Sequence, residues 1–149
     1  MKISTKATYG ILAALDLASN NGTVPVQAKA IARRQMIPVR FLEQVLHAMK
    51  QAGLVDSMRG AQGGYMLNRL ATEISLADII EALDGPLSPS PTRGTAARRP
   101  RHRKPDALLA AVWEQVREAE LKVLGALSLK DLVERRLQLE HQRALMYHI

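Results

Sequence analysis

The chain is 149 residues long, 47% hydrophobic and 23% charged, with 21 basic against 14 acidic side chains, a net charge of +7 and no cysteine. That length holds one compact domain plus an appendage, and that composition is ordinary for a folded globular chain. The absence of cysteine excludes a disulfide framework, a catalytic thiol, a thiolate-bound zinc and an all-cysteine iron-sulfur cluster. Apolar runs are short and broken by charges, and residues 1–10 lack the apolar stretch of a secretory leader, so neither a membrane span nor export is expected, and the cytoplasm is the expected compartment.

In chain order, Ser4 is placed to cap a first helix over 5–20, where Tyr9, Leu12, Ala13, Leu15 and Ala18 recur mostly at three-to-four spacing and Asn20, Asn21 and Gly22 form the stop. Val24-Pro25-Val26 is extended by its proline. A short second helix follows over 27–35 with Ala30 and Ile31 inward. Pro38 opens a third helix from a favoured first-turn position, running to Ala52 with Gly53 as its left-handed stop. Val39, Leu42, Val45, Leu46 and Met49 share one arc of about 120° on that helix, a core-facing stripe. The opposite face carries Arg40, Gln44, His47 and Gln51, with Glu43 at its edge.

Residues 54–58 and 65–68 read as two short strands, joined by the tip Arg59-Gly60-Ala61-Gln62-Gly63-Gly64. Ser75 and Asp78 form a capping box for a fourth helix ending at Gly85. Residues 86–105 hold five prolines and six of the seven net positive charges, as Arg93, Arg98, Arg99, Arg101, Arg103 and Lys104. No regular structure is expected there. The overall basicity therefore reflects one segment and does not by itself argue for nucleic acid. Residues 106–127 predict a long helix on which Leu109, Val112, Val116, Ala119, Val123 and Ala126 alternate spacings of three and four, a heptad seam. Such a stripe is most simply buried against a second copy of the same chain. Ser128 with Asp131 opens a terminal helix through Leu129, Leu132, Val133 and Leu137, with a frayed end about His141 and His148.

Helix, short helix across a turn, helix with a polar outer face, then a hairpin with a basic glycine-rich tip is the order of a winged helix-turn-helix. The fold class is thus mostly α with a small β-hairpin wing over 1–85, a Pro/Arg-rich loop over 86–105, and a long dimerisation helix with a C-terminal helix over 106–149. A duplex major groove admits one α-helix that is held by its inner stripe and offers hydrogen-bonding groups outward. Arg40 suits guanine, Gln44 adenine and Glu43 cytosine N4. The same face, taken alone, is what any solvated helix shows; the wing supplies the context. Arg59 begins a tip whose glycines, Gly60 and Gly63 among them, leave no Cβ to obstruct a sugar-phosphate wall, so its guanidinium is suited to a minor groove. Lys6, Tyr9, Arg33 and Arg34, on the first two helices, are candidate backbone contacts.

Met1-Lys-Ile-Ser-Thr-Lys-Ala-Thr-Tyr-Gly10, Ile37-Pro-Val-Arg-Phe-Leu-Glu-Gln-Val-Leu46, Ala52-Gly-Leu-Val55 and, above all, Arg59-Gly-Ala-Gln-Gly-Gly-Tyr65 resemble the Rrf-type regulators, the IscR/NsrR family of bacterial transcription factors. Ser128-Leu-Lys-Asp-Leu-Val133 is similar to that family's C-terminal element. The resemblance implies a homodimer joined through 106–127 on a partly palindromic operator, with base contact from Arg40, Glu43 and Gln44 and minor-groove contact from Arg59. Many members hold an iron-sulfur cluster on three loop cysteines. Here Ser88, Ser90, Thr92 and His102 cannot replace three soft thiolates, so a cluster-free branch is expected, with no metal or cofactor. The arginine-rich loop is open to two readings, a site for an anionic effector or the DNA backbone, or a solvated remnant. Trp113 is expected as a packed anchor. An enzyme is not expected, since His47, His102, His141 and His148 are scattered away from carboxylates at metal spacing. The reading is a DNA-binding regulator, acting as a repressor on double-stranded DNA; the alternative is a protein-interaction module with weak, non-specific DNA binding.

Overall fold

The computed structural model describes residues 2–87 and 106–148. From residue 88 to 105 the basic loop, with its arginines and His102, lies outside the described residues. The elements in order are α1 (Thr5–Ser19), α2 (Ala28–Gln35), α3 (Val39–Gln51), β1 (Val55–Met58), β2 (Gly64–Leu67), a single 3-10 turn (Ala71–Glu73), α4 (Leu76–Asp84), α5 (Ala107–Ala126) and α6 (Leu129–Tyr147). The expected helices and strands are all present within a residue or two of their anticipated ends, which caps and stops account for. Ser4 accepts from the Ala7 N–H at 3.0 Å, and both serine-aspartate capping boxes, Ser75 with Asp78 and Ser128 with Asp131, are closed from both sides. The terminal helix runs further than expected: His141 lies well inside α6, and His148 is its C-cap.

α1 is the central helix, packed against α2, α3, α4 and α6. It is buried over more than the expected stripe, and its innermost residues are Ala7, Gly10, Ala13, Ala14 and Leu17, with Tyr9, Leu12 and Ala18 only half-buried. A helix enclosed on several sides needs small residues where another backbone comes close. At Gly10 any Cβ would overlap the Leu83 side chain of α4. The start of α1 is also tied to the end of α4, because the Ser4 N–H and hydroxyl both donate to the Asp84 carboxylate.

Leu42, Val45, Leu46 and Met49 of α3 are fully buried against this helix, whereas Val39, in the first turn, is partly exposed. In α2 the inward residues are Ile31 and Ala32, with Ala30 half-buried. β1 and β2 pair antiparallel from Val55 opposite Leu67 to Met58 opposite Gly64. Val26 adds a third strand position: it exchanges two hydrogen bonds of 2.8 Å with Tyr65. Gly64 permits that approach, since a Cβ there would overlap the Val26 backbone.

The C-terminal helices do not stand apart from the winged unit. Ile74 and Leu127 flank the two capping boxes and join them, with Leu76 N–H donating to Leu127 O at 2.9 Å and Leu129 N–H to Ile74 O at 2.8 Å. Leu129 is fully buried in the same core as α1 and α3. The core thus crosses the sequence division drawn at the basic loop.

Candidate nucleic-acid interface

α3 is held by its inner stripe, and that determines which side faces out. Arg40, Glu43, Gln44 and His47 all remain exposed on its outer side, so the three side chains expected to meet bases share one accessible face. The wing follows directly. Arg59 is exposed at the hairpin tip, and the exposed Gly60 beside it has φ of 111°, a left-handed value that favours glycine. Gly63 is buried, and its N–H donates to Gly60 O at 3.0 Å, closing the tip. That N–H is therefore used within the wing.

The orientation of wing to helix has its own fastening. Lys50 Nζ, in the last turn of α3, donates to Ser57 Oγ of β1 at 2.6 Å, and Asn68 Nδ2 donates to Gly53 O at 3.1 Å. Sequence reasoning missed both, because neither pair lies at a spacing that a helix or hairpin repeats.

The residues expected to grip the DNA backbone fall into different surroundings. Lys6 is half-buried and Arg33 is exposed. Tyr9 packs edge-on against Phe41 of α3, ring centroids 5.3 Å apart at 83°, so its ring joins α1 to α3. Arg34 is engaged with α1. Its Nε donates to Asp16 Oδ2 at 2.9 Å and its Nη2 to Asp16 Oδ1 at 2.6 Å, while Gln35 Nε2 reaches Asp16 Oδ2 at 3.0 Å.

Asp16 is 3% exposed and is the buried charged side chain among the described residues. Burial opposes its charged form, but hydrogen bonds from Arg34 and Gln35 and the charges of Arg34 and Arg136 outweigh it, holding the carboxyl below the usual value of 3.8. The same bond raises the Arg34 guanidinium. Nothing in the local pattern of α1 marks Asp16 as inward; a carboxylate on an amphipathic helix reads as solvent-facing until its partner is known.

α5 presents the seam. Leu109, Val112, Val116 and Val123 are 51%, 42%, 43% and 60% exposed in the single chain, and Ala119 is exposed as well. Only the neighbouring face, with Leu121 and Leu124 half-buried, turns toward the chain's own body. Val116, Ala119, Val123 and Leu124 line an open apolar groove of about 430 Å³. Trp113, expected as a packed anchor, is 56% exposed within the protomer.

A reading helix beside a basic wing on a three-helix core defines the winged helix-turn-helix class of DNA-binding transcriptional regulators, and the comparisons agree. The family model for Rrf2, described as an iron-dependent transcriptional regulator, matches residues 3–135, and the chain belongs to that family. It is 37% identical over 132 residues to the HTH-type transcriptional regulator CymR of Bacillus subtilis, covering 89% of each chain. It is 38% identical over 132 residues to a putative HTH-type regulator of Synechocystis, covering 89% of this chain and 87% of that one. The solved structure of B. subtilis CymR, that organism's global cysteine regulator, superposes with a TM-score of 0.75 at 35% identity, over 91% of this chain and 98% of the other. The family comprises regulators, not enzymes, and its members bind DNA.

Among the described residues no helix is long and apolar enough to cross a membrane. The iron chemistry of the family description does not fit this donor set. The chain contains no cysteine, and among the described residues no three His, Asp or Glu side chains gather where a metal ion could be held.

Proposed function

We propose that the chain is a cytoplasmic, homodimeric, sequence-specific repressor that occupies a partly palindromic operator without an iron-sulfur cluster. The observation that carries this reading is the pairing of two accessible surfaces, the polar face of α3 beside Arg59 and the apolar seam of α5. The first suits a duplex, with Arg40, Glu43 and Gln44 at base edges in the major groove and Arg59 in the adjoining minor groove. Lys6, Arg33 and the backbone at Gly60 suit phosphates, which set register without specifying sequence. The second surface would be left in water by a monomer. Packing Leu109, Val112, Val116, Ala119 and Val123 against their copies places two reading helices about one duplex turn, roughly 10 base pairs, or a multiple of it apart. With no thiolate in the chain, the signal enters by another route, such as an anionic effector on the basic loop.

The test is a gel shift of the full chain with fragments upstream of its own gene against scrambled duplexes of equal length, followed by footprinting. The expected result is a two-fold symmetric footprint on the genomic fragment alone. Equal affinity for both DNAs would favour the other reading, a protein-interaction module.

A further inference from the structure

We propose that Asp16 is a positioning residue for sequence reading, and that Arg34, despite lying beside the exposed Arg33 on a helix that faces DNA in this fold, acts through Asp16 and not on a phosphate. The inference rests on the DNA-reading function proposed above.

The argument starts from α2. It is a helix of only eight residues whose N-cap, Gln27, makes no side-chain capping bond, and a helix this short takes its stability and direction from what it packs against. Ile31 and Ala32 supply an apolar contact, but apolar contact is non-directional and tolerates small rotations. Directional bonds come from the last two residues: Arg34 and Gln35 together place three hydrogen bonds on the Asp16 carboxylate. The next residue, Met36, is left-handed with φ of 54° and turns the chain. Beyond Ile37 and Pro38 begins α3. The Asp16 clamp thus sits immediately before the turn that launches the reading helix, and it fixes where that helix starts relative to α1.

Asp16 is itself held, because Asn20 Nδ2 donates to its backbone carbonyl at 2.9 Å. Base-edge hydrogen bonds need placement to within a fraction of an ångström, whereas phosphate contacts by flexible cations do not. Loosening the clamp should therefore erode discrimination between sequences more than it erodes affinity for DNA in general. Arg34 is also unsuited to a phosphate in this arrangement, since its Nε and Nη2 are committed to Asp16 and its charge is balanced there.

The experiment measures binding of the full chain to a duplex selected by it from a random-sequence pool and to a scrambled duplex of the same composition, across a salt series. Arg34→Gln, Gln35→Ala and Arg33→Gln are compared, with thermal melting to confirm that each is folded. The expected result for Arg34→Gln is a fall of roughly tenfold in the ratio of selected to scrambled affinity, about the worth of one mismatched base pair. Its slope of log affinity against log salt stays at the wild-type value. Gln35→Ala, which removes a single uncharged bond to Asp16, should lower the ratio by less and leave the slope alone. Arg33→Gln should reduce the slope by about 0.9, the mark of a lost phosphate contact, with the ratio kept. A slope reduced in Arg34→Gln as in Arg33→Gln, or a folded Arg34→Gln with an unchanged ratio, overturns the inference while the DNA-reading function stands. Wild-type protein that binds both duplexes alike overturns that function and the inference together.

Discussion

α3 and α5 are both amphipathic, yet their apolar stripes meet opposite fates. Leu42, Val45, Leu46 and Met49 of α3 are completely buried inside the protomer, whereas Leu109, Val112, Val116 and Val123 of α5 stay substantially in water. The periodicity of the two segments is equally clear, so it shows that a face must be covered without saying by what. The answer lies in the neighbours. α3 is bracketed by short connections that fold α1, α2 and α4 over it, while α5 touches its own body through one edge only, near α4. On the proposed reading the first stripe stabilises one chain and the second joins two chains.

Placing charge in the α5 seam tests that contrast most severely. Val116→Lys with Val123→Lys should convert the protein to a folded monomer by light scattering. Operator affinity should drop about 100-fold or more, the loss expected when two linked half-sites become two single ones. An unchanged dimer would remove the seam from the assembly. Leu46→Ala, the counterpart in α3, should cost about 2–5 kcal/mol of unfolding free energy by leaving a cavity, with a loss that does not vary with protein concentration. Gln44→Ala leaves both stripes intact and should alter only target ranking, by about 1–3 kcal/mol at the contacted base pair in a competition assay. Ser128→Ala should cost about 1 kcal/mol in denaturant titrations, through loss of the cap that starts α6.

Smallest is a pH effect from Asp16. Its folded-state value is depressed by Arg34 and Gln35 against the opposition of burial, so its contribution to stability is fully present above the ordinary value of 3.8. That contribution is lost as pH falls through the lower, folded value. Asp16→Asn should therefore be less stable than wild type at neutral pH and should show a flatter acid limb in denaturant titrations below about pH 4.

Much of the site was legible because its signals are local. Pro38 before an apolar three-four pattern, Gly53 after it, and a glycine-rich string between two short strands each act over a few residues, so α3 and the wing could be placed and Arg40, Glu43, Gln44 and Arg59 put on exposed surfaces. Arg34 shows where that reading stops. A basic residue next to Arg33 on a helix expected to face DNA has the same local appearance whether it meets a phosphate or a carboxylate 18 positions back. Tyr9 is similar, since its pairing with Phe41 depends on how α1 crosses α3.

Length, caps, turn glycines and hydrophobic period belong to the sequence alone, because each is an interaction among residues a few positions apart: they determined which segments are helices and strands, and that α5 bears an uncovered stripe. Only the tertiary structure decided that Asp16 is buried and clamps α2, that Val26 joins the wing as a third strand position, and that Leu129 enters the core of α1 and α3. Each of these joins groups distant along the chain, where the energy comes from closing a cavity or satisfying a buried polar atom, and no spacing in the sequence encodes the partner.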